Sequence, residues 1–207
     1  HKDFLVEGDI TLTPHEAARR RDFTMNAIML DPLTGELIDP WHGIHDLEIK
    51  ILRMVDADHF SEDPLRVYRA IQFAARFELT VEEKTLALLQ TMVDRGELDY
   101  LPLERVTEEW RKLLLKAEKP SIGLELMREL GIIQKYYPEL QTLIGVEQDA
   151  EWHPEGDVWI HTRMSVDAAA QIIRREIFDA KEKLQVVFGA LCHDFGKAST
   201  TRLAPKQ

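Results

Sequence analysis

Apolar and polar positions follow two different rhythms along this chain. Up to about residue 58, short apolar runs are broken by turn signals: DFLVEGDITL, then FTMNAIMLD, the turn PLTGEL, and IDPWHG with its proline and glycine. Runs that short, bounded by Pro, Gly and Asp, read as strands and turns. From about residue 60 the period lengthens to that of a helix. In EDPLRVYRAIQFAARF, Leu65, Tyr68, Ile71 and Ala75 can face a core, while Asp63, Arg66 and Arg69 follow in steps of three along a slowly turning stripe.

Helix punctuation sharpens this picture. Ser61 stands where an N-cap belongs, with Glu62, Asp63 and Pro64 in the first turn, where acidic charge and a missing N–H are favoured. Thr80 with Glu83 reads as a capping box for VEEKTLALLQTMV. ERVTEEWRKLLLKA, SIGLELMREL stopping at Gly131, HTRMSVDAAAQIIRREI and EKLQVVFGALCHDF follow as further helices. Two prolines and two glycines between Tyr137 and Asp157 mark a boundary. The chain thus reads as α+β and predominantly α, divided into residues 1–58, 59–145 and 146–207.

Composition adds limits. A chain of 207 residues, 44% hydrophobic, can bury one or two cores. It has no uninterrupted apolar run of the ~18 residues a membrane span needs, so a soluble, cytoplasmic protein with no membrane partner is expected. Cys192 is the single cysteine and reads as a buried thiol in a reducing compartment. The net charge of −11 opposes a phosphate backbone. ARRRDF and WRKLLLKAEK are basic clusters that can override it locally, or ordinary solvated helix faces. The chain starts in mid-phrase at His1, which reads as part of a longer protein.

Candidate chemistry sits in three places. His161 opens one expected helix and His193 with Asp194 ends the next. Helices joined by a short link pack antiparallel, bringing those ends together. Two imidazoles and a carboxylate suit a divalent transition ion or Mg²⁺ with open positions for water and phosphate, while a hydrogen-bonded His-Asp pair is the plainer reading. His153, beside Pro154, reads as a structural loop histidine rather than a further ligand. In RRDFTMNA, Arg21 can fork onto a triphosphate, and Asp22 and Asn26 can bond ribose hydroxyls; a structural salt bridge serves as well. On the third stretch, adjacent Arg66 and Arg69 repel unless something anionic lies across them. Asp63 can accept from the exocyclic amino group of cytosine or adenine, and Arg66 can donate to the neighbouring ring atom. Uracil and guanine present a carbonyl there, so the pair can choose C and A without a template; a surface salt bridge is the alternative.

RRDFTMNA, GELIDPWHGIHDLEIKILRMV, EDPLRVYRAIQFAARF and ERVTEEWRKLLL, in that order, resemble the bacterial CCA-adding enzymes, class II tRNA nucleotidyltransferases of the poly(A) polymerase-like family. EWHPEGDVWIHTRM and ALCHDFGKA are similar to the subgroup with an appended HD phosphohydrolase domain. The resemblance implies the C-terminal part of a polymerase-β-like head, a helical neck and a helical HD domain. It implies addition of CCA to tRNA 3′ ends from CTP and ATP with Mg²⁺. Arg21 would contact the triphosphate, Asp22 and Asn26 would support ribose recognition, Asp63 and Arg66 would be the amino-acid template, and Arg69 would assist at the nucleotide. Residues 28–55 would form the flexible segment of the C-to-A switch, and helix 104–116 would brace the neck. His161, His193 and Asp194 would hold a metal, with Lys197 near phosphate, for phosphatase or 2′,3′-cyclic phosphodiesterase chemistry.

Departures from the family pattern qualify the expectation. Gln72 stands where the template helix usually carries another arginine. The family's Gly-Ser signature and paired carboxylates fall before His1, and a further HD aspartate after Gln207, so these residues are not expected to transfer nucleotides alone. An A-adding or poly(A)-type enzyme, a protein active only as an HD phosphohydrolase, and a non-catalytic tRNA-binding module are the competing readings. Oligomeric state is not legible.

Overall fold

The computed structural model describes residues 11–149 and 151–200. The strand expected in DFLVEGDITL falls, except for Thr11 and Leu12, outside those residues. Helix α1 (Pro14–Ala18) starts with a capping box in which Thr13 and Glu16 satisfy each other's backbone amides. A 3₁₀ turn at Thr24–Asn26 leads to strands β1 (Met29–Leu30) and β2 (Leu37–Ile38), paired antiparallel with Met29 opposite Ile38. The turn between them is built by Asp31, whose Oδ1 accepts from the amides of Leu33 and Thr34, and by Gly35 at φ +74°. Helix α2 (Gly43–Glu48) and strand β3 (Ile51–Leu52) follow.

From there the described residues are mainly helical, with a single strand interposed among them. Helices α3 (Ala57–Phe60) and α4 (Leu65–Phe77) precede strand β4 (Thr80–Val81), which pairs parallel with β3. Helices α5 (Glu83–Asp94), α6 (Leu103–Lys116), α7 (Pro120–Glu129), α8 (Ile132–Tyr136) and α9 (Pro138–Gln141) come next. Helices α10 (Val158–Arg175), α11 (Ala180–Cys192) and the short α12 (Lys197–Thr200) complete the described residues. Helix α4 is the hub: Leu65, Val67, Tyr68 and the run Ala70–Ala75 are all buried, so its arginines occupy the one stripe left open. One apolar core runs from Phe23 through α4, α6 and α7 to Leu191. Helix α10 joins it through Val158, Trp159, Val166, Ala169 and Ile173, a helical repeat that keeps one face inward. Helices α6, α9 and α11 leave an apolar groove of about 620 Å³ lined by Val106, Trp110, Leu184 and Phe188.

The helix starts differ from expectation in two places. Ser61 ends α3, which Asp56 caps by accepting from the His59 amide, and α4 begins only after Pro64, with no side-chain cap. Thr80 lies in β4, and the cap of α5 is Glu82, whose carboxylate takes the Thr85 amide at 2.8 Å. At α5 an acidic side chain two residues beyond Thr80 supplies the same acceptor, so the sequence offered competing solutions to one need. Cys192 is half-buried rather than buried, and that burial pushes its thiol pKa up.

Two glycines are required by close approach. A Cβ at Gly43 would stand 2.2 Å from the Thr24 carbonyl oxygen, and one at Gly123 would stand 2.6 Å from Leu113 Cδ1. Backbone cannot yield as a leucine tip can. Gly43→Ala is therefore expected to cost more stability than Gly123→Ala, for which ordinary overpacking of about 1–3 kcal/mol applies. Equilibrium denaturation of both variants checks the order, and a larger loss at Gly123 contradicts it.

Candidate nucleotide site and candidate metal centre

The first site grows from the join between the 3₁₀ turn and α4. Asp22 is only 5% exposed and is fully engaged by the protein: Oδ1 accepts from the Phe23 amide at 2.9 Å and from Asn26 Nδ2 at 2.8 Å, and Oδ2 accepts from Arg69 Nε at 2.6 Å. The structural salt bridge is thus formed. Asp22 fixes Asn26 and Arg69 side by side, linking RRDFTMNA to the helix that carries Arg66. The Arg69 guanidinium also lies over the Phe73 ring, 5.1 Å from its centroid. Arg21 is exposed beside this join.

Asp63 and Arg66 are not paired with each other. Asp63 Oδ1 accepts from the Leu65 amide at 3.1 Å, while Oδ2 accepts from Arg105 Nη2 of α6 at 2.7 Å. Arg66 donates to the carbonyls of His59 and Arg20 and lies over the Phe60 ring. Both side chains are half-buried, and these bonds hold each in a defined place. Gln72 is turned inward, 1% exposed, with Oε1 accepting from Arg76 Nη1 at 3.1 Å. It does not share the stripe of Arg66 and Arg69. Arg105 is the residue that sequence reasoning missed; it sits in the quoted ERVTEEWRKLLL, but only tertiary packing shows that it meets Asp63.

The second site lies where α10 begins and α11 ends. Asp157 caps α10 by accepting from the Ile160 amide, which places His161 in the first turn. A short link returns the chain, and His193 and Asp194 arrive opposite. Ligand atoms of His161, His193 and Asp194 all lie within 4.8 Å of one another. His161 Nε2 is 3.9 Å and His193 Nε2 3.2 Å from Asp194 Oδ2. That oxygen is buried and makes no hydrogen bond, although Lys197 Nζ is 3.0 Å away. The Lys197 ammonium already offsets that charge, and what fits a divalent ion is the donor set itself, two imidazoles and a carboxylate with ligand atoms this close together. Lys197 also donates to Gln148 Oε1 at 2.7 Å.

The loop histidine is closer to this centre than the sequence implied. His153 Nδ1 is 3.0 Å from Glu155 Oε1, and its ring meets that of His161 edge-on at 5.0 Å. Glu155 Oε1 is also 2.7 Å from His161 Nδ1. The hydrogen bond from its backbone, then those from the two imidazoles, hold the Glu155 carboxyl down at about 2. Glu155 carried no signal of its own beyond its place in HPEGDVWIHT.

Compared with known proteins, residues 4–53 match the poly A polymerase head domain, and residues 78–144 match the probable RNA and SrmB-binding site of polymerase A. The chain is 43% identical over 203 residues to the multifunctional CCA protein of Stenotrophomonas maltophilia (strain K279a), covering 97% of this chain and 48% of that protein. It is 42% identical over 201 residues to the multifunctional CCA protein of Methylobacillus flagellatus, covering 97% and 46%. The chain spans about half the length of these curated relatives. Among solved structures it is similar to a tRNA-processing enzyme with CTP, at TM-score 0.62 and 27% identity over 90% of this chain and 50% of that one. An apo form of a tRNA-processing enzyme gives 0.61 and 28%, over 90% and 51%.

Proposed function

From the premise that this chain belongs to the family of the bacterial CCA-adding tRNA nucleotidyltransferases, we propose that the protein adds CCA to tRNA 3′ ends from CTP and ATP without a nucleic-acid template. Residues 1–58 complete the nucleotidyltransferase head, 59–145 form the neck that meets nucleotide and tRNA, and 146–207 open an HD domain. The observation that carries the reading is the arrangement on α4: Asp63 and Arg66 are half-buried and held in place, the first by Arg105 and the second by the His59 and Arg20 carbonyls, with Arg69 locked to Asp22 nearby. Asp63 and Arg66 read the base edge, Arg69 and Arg21 meet phosphate, and Asn26, oriented by Asp22, is left to bond the ribose.

Divalent metal ions serve the nucleotidyltransferases of this family, and we assign Mg²⁺ to the transfer step. At the second site His161, His193 and Asp194 would hold a divalent ion, the two imidazoles favouring a transition metal, and such an ion would supply a water of lowered pKa for phosphate ester hydrolysis. Lys197 is placed to bind the phosphate of a phosphomonoester or 2′,3′-cyclic phosphodiester. No helix among the described residues is long and apolar enough to cross a membrane. The test is incorporation of labelled CTP and ATP, separately and together, into tRNA lacking its 3′ end, by the protein expressed from its complete gene. Ordered addition of C, C and A is expected; A alone indicates the A-adding relative, and no incorporation overturns the reading.

A further inference from the structure

We propose that Glu155 is a positioning residue for the metal centre: by accepting the Nδ1–H of His161 it selects the tautomer whose Nε2 lone pair is presented toward His193 and Asp194. The inference rests on the metal-centre reading above and gives its geometry a cause. A neutral imidazole carries one N–H and one lone pair, and the partner of the first decides where the second points. Here the 2.7 Å contact is on Nδ1, whereas Nε2 faces Asp194 Oδ2 at 3.9 Å and Ser165 Oγ at 3.4 Å. A carboxylate behind a ligating histidine fixes its ring and raises its basicity.

The local sequence holds Glu155 in place. Gly156 sits at φ +125°, a conformation that side chains rarely adopt, and a Cβ there would lie 2.9 Å from Ile160 Cδ1. Asp157 pins the next position twice, taking the Ile160 amide that starts α10 and the Gly145 amide at 2.8 Å. On its other side, His153 Nδ1 approaches the same Glu155 oxygen at 3.0 Å. The HPEGD run therefore delivers one carboxylate oxygen between two imidazoles, on the Nδ1 side of His161 and away from its Nε2.

The experiment uses the 207-residue chain, with ¹⁵N-labelled histidine for long-range ¹H–¹⁵N spectra of the metal-free form and with Mn²⁺ titration followed by electron paramagnetic resonance. Wild type is expected to show His161 as the Nδ1–H tautomer. Glu155→Ala is expected to move His161 toward a mixture of tautomers and to weaken Mn²⁺ binding by about 10- to 100-fold, the usual effect of removing such a partner. Glu155→Gln, whose carbonyl oxygen still accepts the N–H, is expected to keep the tautomer and recover much of the affinity. A merely structural role would lower the melting temperature and leave tautomer and affinity unmoved, and that result overturns the proposal. So does a stoichiometry of two ions that falls to one in Glu155→Ala, which would make Glu155 a ligand. If wild type binds Mn²⁺ no more tightly than Asp194→Ala does, the metal-centre reading itself fails and the proposal with it.

Discussion

In the protein expressed from its complete gene, Asp63→Ala is expected to erase the preference for CTP over UTP and for ATP over GTP, a loss of about 10⁴ in relative kcat/KM. The magnitude follows from what a protein template must do. On the proposed reading Asp63 would accept from an amino group that cytosine and adenine have and that uracil and guanine replace with a carbonyl, so the wrong base would set two acceptors against each other. Alanine removes both the reward and the penalty. Asp63→Asn is expected to relax selection as well, because an amide offers a donor to the wrong base. Arg105→Ala frees the Asp63 oxygen that Arg105 now holds at 2.7 Å, and is expected to weaken CTP and ATP together without changing their rank over UTP and GTP. Asp63 also accepts from the Leu65 amide at the start of α4, a hydrogen bond worth about 1 kcal/mol. Melting curves of each variant separate that small loss from the change in selection. Retention of the base preference in Asp63→Ala would remove Asp63 from the template.

The parts of this molecule that sequence reveals are those whose cause is local. Helices α4, α6, α7, α10 and α11 follow from apolar spacing over three or more turns. The meeting of His161 with His193 and Asp194 follows from two helices and the short link between them. The stripe of Arg66 and Arg69 was visible for the same reason, since apart from Gln72 the buried positions of α4 are apolar. What sequence did not reveal was the choice of partner across space. Asp22 found Arg69 and Asp63 found Arg105, pairings set by how α4 lies against the 3₁₀ turn and α6. Gln72 reads as a surface residue by type, but its position on a helix buried nearly all round turns it inward. The two-residue strands β3 and β4 are too short for alternation to register, and their parallel pairing joins segments far apart in the chain. Capping was legible in kind and misplaced in detail, because Asp56, Ser61 and Asp63, like Thr80, Glu82 and Glu83, are rival acceptors within a few residues.

Phe23→Ala is expected to destabilise the chain by about 3–5 kcal/mol, as removal of a fully buried aromatic does, a large share of the 5–15 kcal/mol that ordinarily holds a domain together. Phe23 is wholly buried and meets Phe60 and Phe73 edge-on, with ring centroids 5.4 and 5.8 Å away. Its backbone bridges to Met54, and its amide donates to Asp22 Oδ1. The ring that fills the core therefore also fixes the residue that fixes Arg69. Phe77→Ala supplies the contrast. Phe77 stands at the other end of α4, 40% exposed, stacked on Phe73, and its removal is expected to cost about 1 kcal/mol or less, in line with exposed positions. Phe23→Leu is expected to fall between the two, since it keeps an apolar side chain and loses the edge-on contacts, each worth about 0.5–1.5 kcal/mol. Urea denaturation of the three variants measures this directly. Equal losses at Phe23 and Phe77 would mean that Phe23 does not anchor the turn to the hub helix, and the packing account of how Asp22 reaches Arg69 would fall with it.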